Sequence, residues 1–258
     1  MFRDLKGFAQ FISIERGLML FMITAGAAFL TVESLVWPHA ICLGLIVFCA
    51  WSGLDALNNI FDVDLDVTSD PFRAEYTRKL GKSGFAIVLV FSALFLGLGI
   101  FTMIPLVILL IVVGIFFGIL YSVPPFRLRQ TIFKPLVNFT VGAVPVLVVA
   151  AFSRNFAVNV VVLALVIGIT TGVNSLWEDL ADYASDFAKG ARTVPIILGP
   201  RRGLLIGDNG LLLNSTDDFG RGSVSVAFDL LFCFVRTHSF CFSSSMSKEI
   251  HIVRQPQN

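Results

Sequence analysis

Asn58-Asn59-Ile60-Phe61-Asp62-Val63-Asp64-Leu65-Asp66 closes a long apolar run, and the chain echoes it at Glu178-Asp179-Leu180-Ala181-Asp182-Tyr183-Ala184-Ser185-Asp186. A shift of 120 residues carries Asn58 to Glu178, Asp62 to Asp182 and Asp66 to Asp186. Two acidic clusters with the same inner spacing, each ending an apolar helix, suggest an internal repeat whose halves share one site. On a helix, Asn58, Asp62 and Asp66 fall at i, i+4 and i+8, and Asp179, Asp182 and Asp186 at i, i+3 and i+7. Each set therefore lines one face. Asp64 falls off that face and reads as a solvated charge. Asn59 and Glu178 stay undecided, with Glu178 favoured as a ligand or as a group supporting one.

Working outward, the 258 residues are 56% hydrophobic and only 14% charged, with a mean hydropathy of +0.84. Soluble domains run at roughly 45–50% apolar and about 25% charged. The apolar runs are continuous rather than alternating, so the class is an all-α integral membrane bundle. Six spans are expected, near residues 17–37, 39–59, 85–103, 106–121, 135–152 and 157–177, each of about the 17–25 residues that cross a bilayer core. Residues 1–16 read as a short amphipathic lead-in at the membrane surface, with no cleavable signal peptide. The double proline in Tyr121-Ser122-Val123-Pro124-Pro125-Phe126-Arg127 ends the fourth span in a loop. Cys42, Cys49, Cys233 and Cys241 show no ligand spacing and imply neither a disulfide nor a zinc site.

Basic residues orient the bundle. Arg3, Lys6, Arg16, Arg73, Arg78, Lys79, Lys82, Arg127, Arg129, Lys134, Lys189, Arg192, Arg201 and Arg202 all belong to one side, against Arg154 on the other. The asymmetry puts the N-terminus and both acidic clusters in the cytoplasm. Residues 204–258 depart from this pattern. Asp208-Asn209-Gly210 and Asn214-Ser215-Thr216-Asp217-Asp218 interrupt the apolar text, as a shift of reading frame would. The expected division is a membrane domain over 1–203 and an atypical tail over 204–258.

Five aligned carboxylates at helix ends need water or cations around them, because like charges raise one another's pKa unless a positive ion intervenes. Mg²⁺ suits such a set, since it takes oxygen ligands, keeps waters and bridges carboxylate to phosphate. A solvated helix end explains either cluster alone; two clusters in one register favour a metal. Arg73, Lys189 and Arg192 add cations beside the acids, and a diphosphate is the ligand that wants both metal and Arg/Lys donors. Ordinary positive-inside charge is the plainer reading of Arg78, Lys79 and Lys82. Tyr121 is either an interfacial anchor or a ring facing a cationic intermediate, and Ser122 sits beside it.

These motifs resemble the UbiA superfamily of intramembrane prenyltransferases over residues 17–203. The resemblance rests on Asn58-x3-Asp62-x3-Asp66 with Arg73 downstream, Tyr121-Ser-Val-Pro-Pro-Phe-Arg127, Asp179-x2-Asp182-x3-Asp186, and Lys189-Gly-Ala-Arg192-Thr-Val-Pro with Gly199 after it. It implies a helical bundle of about nine spans around a central cavity, where bundles build cofactor sites. It further implies Mg²⁺ held by Asn58, Asp62, Asp66, Asp179, Asp182 and Asp186. Asn58, Arg73, Ser122, Arg127, Lys189 and Arg192 would bind a polyprenyl diphosphate. Asp62, Asp66, Asp182, Asp186 and Tyr121 would serve the chemistry. Pyrophosphate departs, an allylic carbocation forms, and a lipophilic acceptor (quinone precursor, ether-lipid glycerol phosphate, tetrapyrrole or carotenoid) attacks it within the lipid bilayer. Nucleic acid has no place in this scheme.

Two departures stand out. Arg73-Ala74-Glu75 and Gly81-Lys82-Ser83-Gly84 replace the family's frequent Arg-Pro and Pro-Ser-Gly turn. Spans seven to nine are not recognisable, which keeps a truncated, non-catalytic relative as an alternative. A cation transporter fits less well, because it predicts acids near span centres rather than at their ends.

Overall fold

The computed structural model describes residues 2–31, 37–67, 70–188, 190–200 and 202–203. Ten α-helices and one 3₁₀ turn are present among them, and no strand. In chain order they are α1 (Phe2–Phe11), α2 (Ile14–Thr31), α3 (Trp37–Phe61), α4 (Pro71–Leu80), α5 (Lys82–Phe101), α6 (Pro105–Ser122), η1 (Leu128–Gln130), α7 (Lys134–Ser153), α8 (Val158–Ala181), α9 (Tyr183–Ala188) and α10 (Val194–Leu198). Lys189, Arg201 and the tail over 204–258 lie outside the described residues.

Among the described residues six helices, α2, α3, α5, α6, α7 and α8, are long and apolar enough to cross a membrane. They are the six runs expected from sequence, with ends displaced by a few residues. The displacement matters most in α8, which continues to Ala181. Asp179 therefore sits within the last turn of the helix, and Asp182 caps it.

The stretch 62–84, expected as a polar connection, contains the ten-residue helix α4. Its start was written as Asp70-Pro71. The Asp70 carboxylate accepts a hydrogen bond from Arg73 N at 3.1 Å, and Pro71 occupies the first turn, where a missing N–H costs nothing. Gly81, at φ +49°, separates α4 from α5, a backbone conformation glycine adopts without penalty.

α3 and α7 form the interior of the bundle: half of each spanning window is buried, against 17% for α5 and α6. Leu89, Leu94, Leu109 and Phe116 on those outer helices stay exposed, as lipid-facing side chains do. α7 and α8 pack closest. A Cβ at Gly142 would run into Thr171 Oγ1 and lie 2.7 Å from Ile167 O, and one at Gly168 or Gly172 would lie 3.0 Å from a carbonyl of α7. Small residues let membrane helices approach through backbone contact, and here Thr171 Oγ1 also donates to Asn138 O at 2.9 Å. α2 packs on α3 as α8 packs on α7, and α2 meets α7. The two helices that end in acidic clusters are thereby held in one bundle.

Candidate active site

α3 ends at Phe61, but a backbone bond from Asp66 N to Asp62 O (2.9 Å) carries the chain through a further turn. Asp62 is fully buried and Asp66 is 4% exposed. A bare carboxylate in such a place is costly, and arginines meet both. Arg129 Nη1 donates to Asp62 Oδ2. Arg127 Nη2 lies 3.1 Å from Asp62 Oδ1 and donates to Phe61 O at 2.6 Å. Arg73 Nη2 donates to Asp66 Oδ2 at 3.0 Å. Burial holds the Asp62 carboxyl above its ordinary pKa, an upward shift that Arg129 and Arg127 only partly oppose.

Asn58 completes this half. With its amide nitrogen assigned toward the acid, it donates to Asp62 Oδ2 at 2.7 Å and to Ser122 Oγ at 3.2 Å, and its oxygen accepts from Arg129 Nη1 at 3.2 Å. Ser122 is buried beside it. Asp64 is solvent-facing and pairs with Arg78 at 2.8 Å. Asn59 is a structural tie: its amide donates to Phe11 O at 2.9 Å.

The second cluster is organised around a different member. Asp179 is fully buried and pairs with Lys134 Nζ, whereas Asp182 is exposed and Asp186 half-buried. In depth the counterpart of Asp62 is thus Asp179, three residues from its repeat partner. Lys134 also lies 3.9 Å from Glu178 Oε2, and Arg16 Nη2 donates to Glu178 Oε1 at 2.9 Å. Tyr121, near the end of α6, lies within electrostatic reach of Lys134, Arg129 and Glu178.

One connection ties the halves together. The segment 127–134 supplies Arg127 and Arg129 to the first cluster and Lys134 to the second. Arg192 N donates to Gln130 O at 2.8 Å, fastening the loop after the second cluster to η1. The Arg192 side chain itself is exposed. Arg129 and Lys134 had been legible only as positive-inside charge; nothing in their spacing marked them as partners of Asp62 and Asp179. A recess of about 460 Å³ lined by Phe29, Thr31, Ser153, Asn155 and Asn159 lies at the opposite ends of α2, α7 and α8.

The donor set can be tested for a cation. Among the described residues, no three His, Cys, Asp or Glu side chains gather into a metal-binding group, so Asn58, Asp62, Asp66, Asp179, Asp182 and Asp186 do not form a closed protein cage. Asp62 Oδ1 and Asp179 Oδ2 are nevertheless buried without a hydrogen bond. Arg127 Nη2 stands 3.1 Å from Asp62 Oδ1, so Asp179 Oδ2 is the oxygen left open; one or two carboxylate oxygens, with phosphate oxygens and water supplying the rest, is the arrangement in which Mg²⁺ is usually held. The residues fit that mode.

A polytopic helical bundle with two acidic helix ends joined by one basic segment defines the class. Residues 19–214 match the UbiA prenyltransferase family, and the chain belongs to it. Among curated proteins it is 27% identical, over 226 residues, to a probable chloroplastic homogentisate phytyltransferase 2 of Oryza sativa subsp. japonica. That match takes in 74% of this chain and spans about half, 55%, of the rice protein. Among solved structures it resembles a UbiA homolog of Archaeoglobus fulgidus bound to GPP and Mg²⁺ (TM-score 0.70, 16% identity, 92% of this chain and 87% of that one). The DMAPP and Mg²⁺ complex of the same homolog gives a TM-score of 0.68 at 16% identity, with the same coverage of both chains. A digeranylgeranylglyceryl phosphate synthase gives 0.63 at 19% identity, covering 82% of this chain and 75% of that one. These likenesses establish the fold.

Proposed function

We propose that the chain transfers a polyprenyl group from its diphosphate to a lipophilic acceptor in the membrane, in a Mg²⁺-dependent reaction. The observation that carries this reading is the pair of buried carboxylates, Asp62 and Asp179, each with one oxygen lacking a hydrogen bond and each met by a cation of the segment 127–134. Asn58, Asp62, Asp66, Asp179, Asp182 and Asp186 would hold Mg²⁺, which when bound would supply charge neutralisation for the diphosphate and for departing pyrophosphate. Arg73, Arg127, Arg129, Lys134, Lys189 and Arg192 are the protein's own cations for that charge; Ser122 fixes Asn58. The allylic C–O bond breaks with its electron pair leaving on pyrophosphate, and the Tyr121 ring is the aromatic face offered to the allylic cation. The acceptor forms the new bond and gives up a proton.

The rice relative's name supports an aromatic quinone precursor such as homogentisate as the first acceptor to test. The charge asymmetry supports a cytoplasmic site. Residues 204–258 stand in this reading as a separate atypical segment.

The test is turnover by purified protein given geranylgeranyl or phytyl diphosphate, homogentisate and Mg²⁺. Pyrophosphate release that stops with EDTA, and falls by roughly 10²–10³ in Asp62→Asn, is the expected result. Equal activity in Asp62→Asn, still membrane-inserted, would contradict it.

A further inference from the structure

α1 is tied into the acidic end of the bundle more firmly than a surface lead-in requires. Phe11 O accepts from Asn59, and Ser13 Oγ donates to Asp55, so the α1–α2 junction is pinned to α3. Phe11 and Ile12 are buried and pack, with Phe8, Ile60, Leu80 and Tyr76, in a small apolar cluster of their own. α1 then lies along α4. Lys79 Nζ bonds Asp4 Oδ1 at 2.7 Å, and Arg3 and Lys6 sit 6.0 and 5.3 Å from the centre of the Phe72 ring.

The closest approach is at Gly7. A Cβ there would run into Tyr76 Cδ2 and stand 2.6 Å from its Cγ. Contact with Cγ, at the root of the ring, means the ring cannot swing away without Tyr76 or α4 moving. Tyr76 is three residues from Arg73, on the same ten-residue helix whose first turn is fixed by Asp70. Arg73 in turn reaches Asp66 at 3.0 Å.

We propose that α1, seated through Gly7 on Tyr76, is the positioning strut that sets where α4 delivers Arg73 to Asp66 and the diphosphate. The proposal rests on the transferase reading for its ligand, but not for its mechanics. Gly7 does not touch substrate; it acts through Tyr76 and the body of α4.

Gly7→Ala is the clean probe, because alanine is a better helix former than glycine and leaves α1 intact while pushing on the ring. Two readouts separate the strut from the activity. In hydrogen exchange, amides of residues 71–80 should exchange faster in Gly7→Ala, and the substitution should have no further effect in a Tyr76→Ala background, where the ring is absent. In steady-state kinetics, Gly7→Ala should raise KM for the prenyl diphosphate roughly three- to tenfold with kcat little changed, again only while Tyr76 is present. A purely structural role would lower the yield of folded protein without that split. Unchanged exchange in α4 would overturn the strut, as would unchanged KM in an enzyme that turns over. A wild-type chain with no turnover would sink the transferase reading instead, leaving the exchange result to decide the strut alone.

Discussion

Asp62 and Asp179 are the fully buried carboxylates of the two clusters, and their neighbours could not be read from spacing. The 120-residue repeat pointed to Asp62 and Asp182 as equals, yet Asp62 and Asp179 are fully buried while Asp182 is exposed. A register counts positions along a helix, whereas burial depends on where the helix stops and what packs beside it; α8 runs through Asp179 and ends just before Asp182. Arg129 makes a direct test. Removing one partner of a buried ion pair costs about 3–5 kcal/mol when the other is left uncompensated; Arg127 remains near Asp62, so Arg129→Met should fall at or below the low end of that range. Thermal unfolding in detergent should show the loss, and adding Asp62→Asn should recover most of it. Wild-type stability in Arg129→Met would mean that the Asp62 contact carries no weight.

Among the elements, the six spans and the loop at Pro124-Pro125 follow from apolar length and proline, two signals that tertiary context seldom reverses. α4 was equally present in its Asp70-Pro71 start, but its polar composition hid it inside a connection. The close α7–α8 contact was not legible, because Gly142, Gly168 and Gly172 show their purpose only when the partner backbone is in view. Gly142→Ala should destabilise the protein by about 1–3 kcal/mol, since its Cβ would press on Thr171 and the Ile167 carbonyl. Gly97 has nothing within 4 Å of an added Cβ, so Gly97→Ala should be neutral or stabilising by up to about 1 kcal/mol. Equal melting behaviour of the two variants would argue against close α7–α8 packing.

Across the whole molecule, the distribution of charge predicts sidedness and the joined acidic ends predict function. In a variant with the four native cysteines replaced by serine, Asp64→Cys should label from the cytoplasmic face and Arg154→Cys from the opposite face. Both positions are exposed. Reversed labelling would overturn the orientation. The proposed function requires the two acidic clusters to make one diphosphate site. Its most direct test is calorimetric binding of a non-hydrolysable geranylgeranyl diphosphate analogue to the purified protein, with and without Mg²⁺, in wild type, Asp62→Asn and Asp179→Asn. Mg²⁺-dependent binding that either substitution weakens severely, and that the pair weakens little further, is the expected result. Binding that ignores Mg²⁺, or that survives the loss of either cluster, would contradict it.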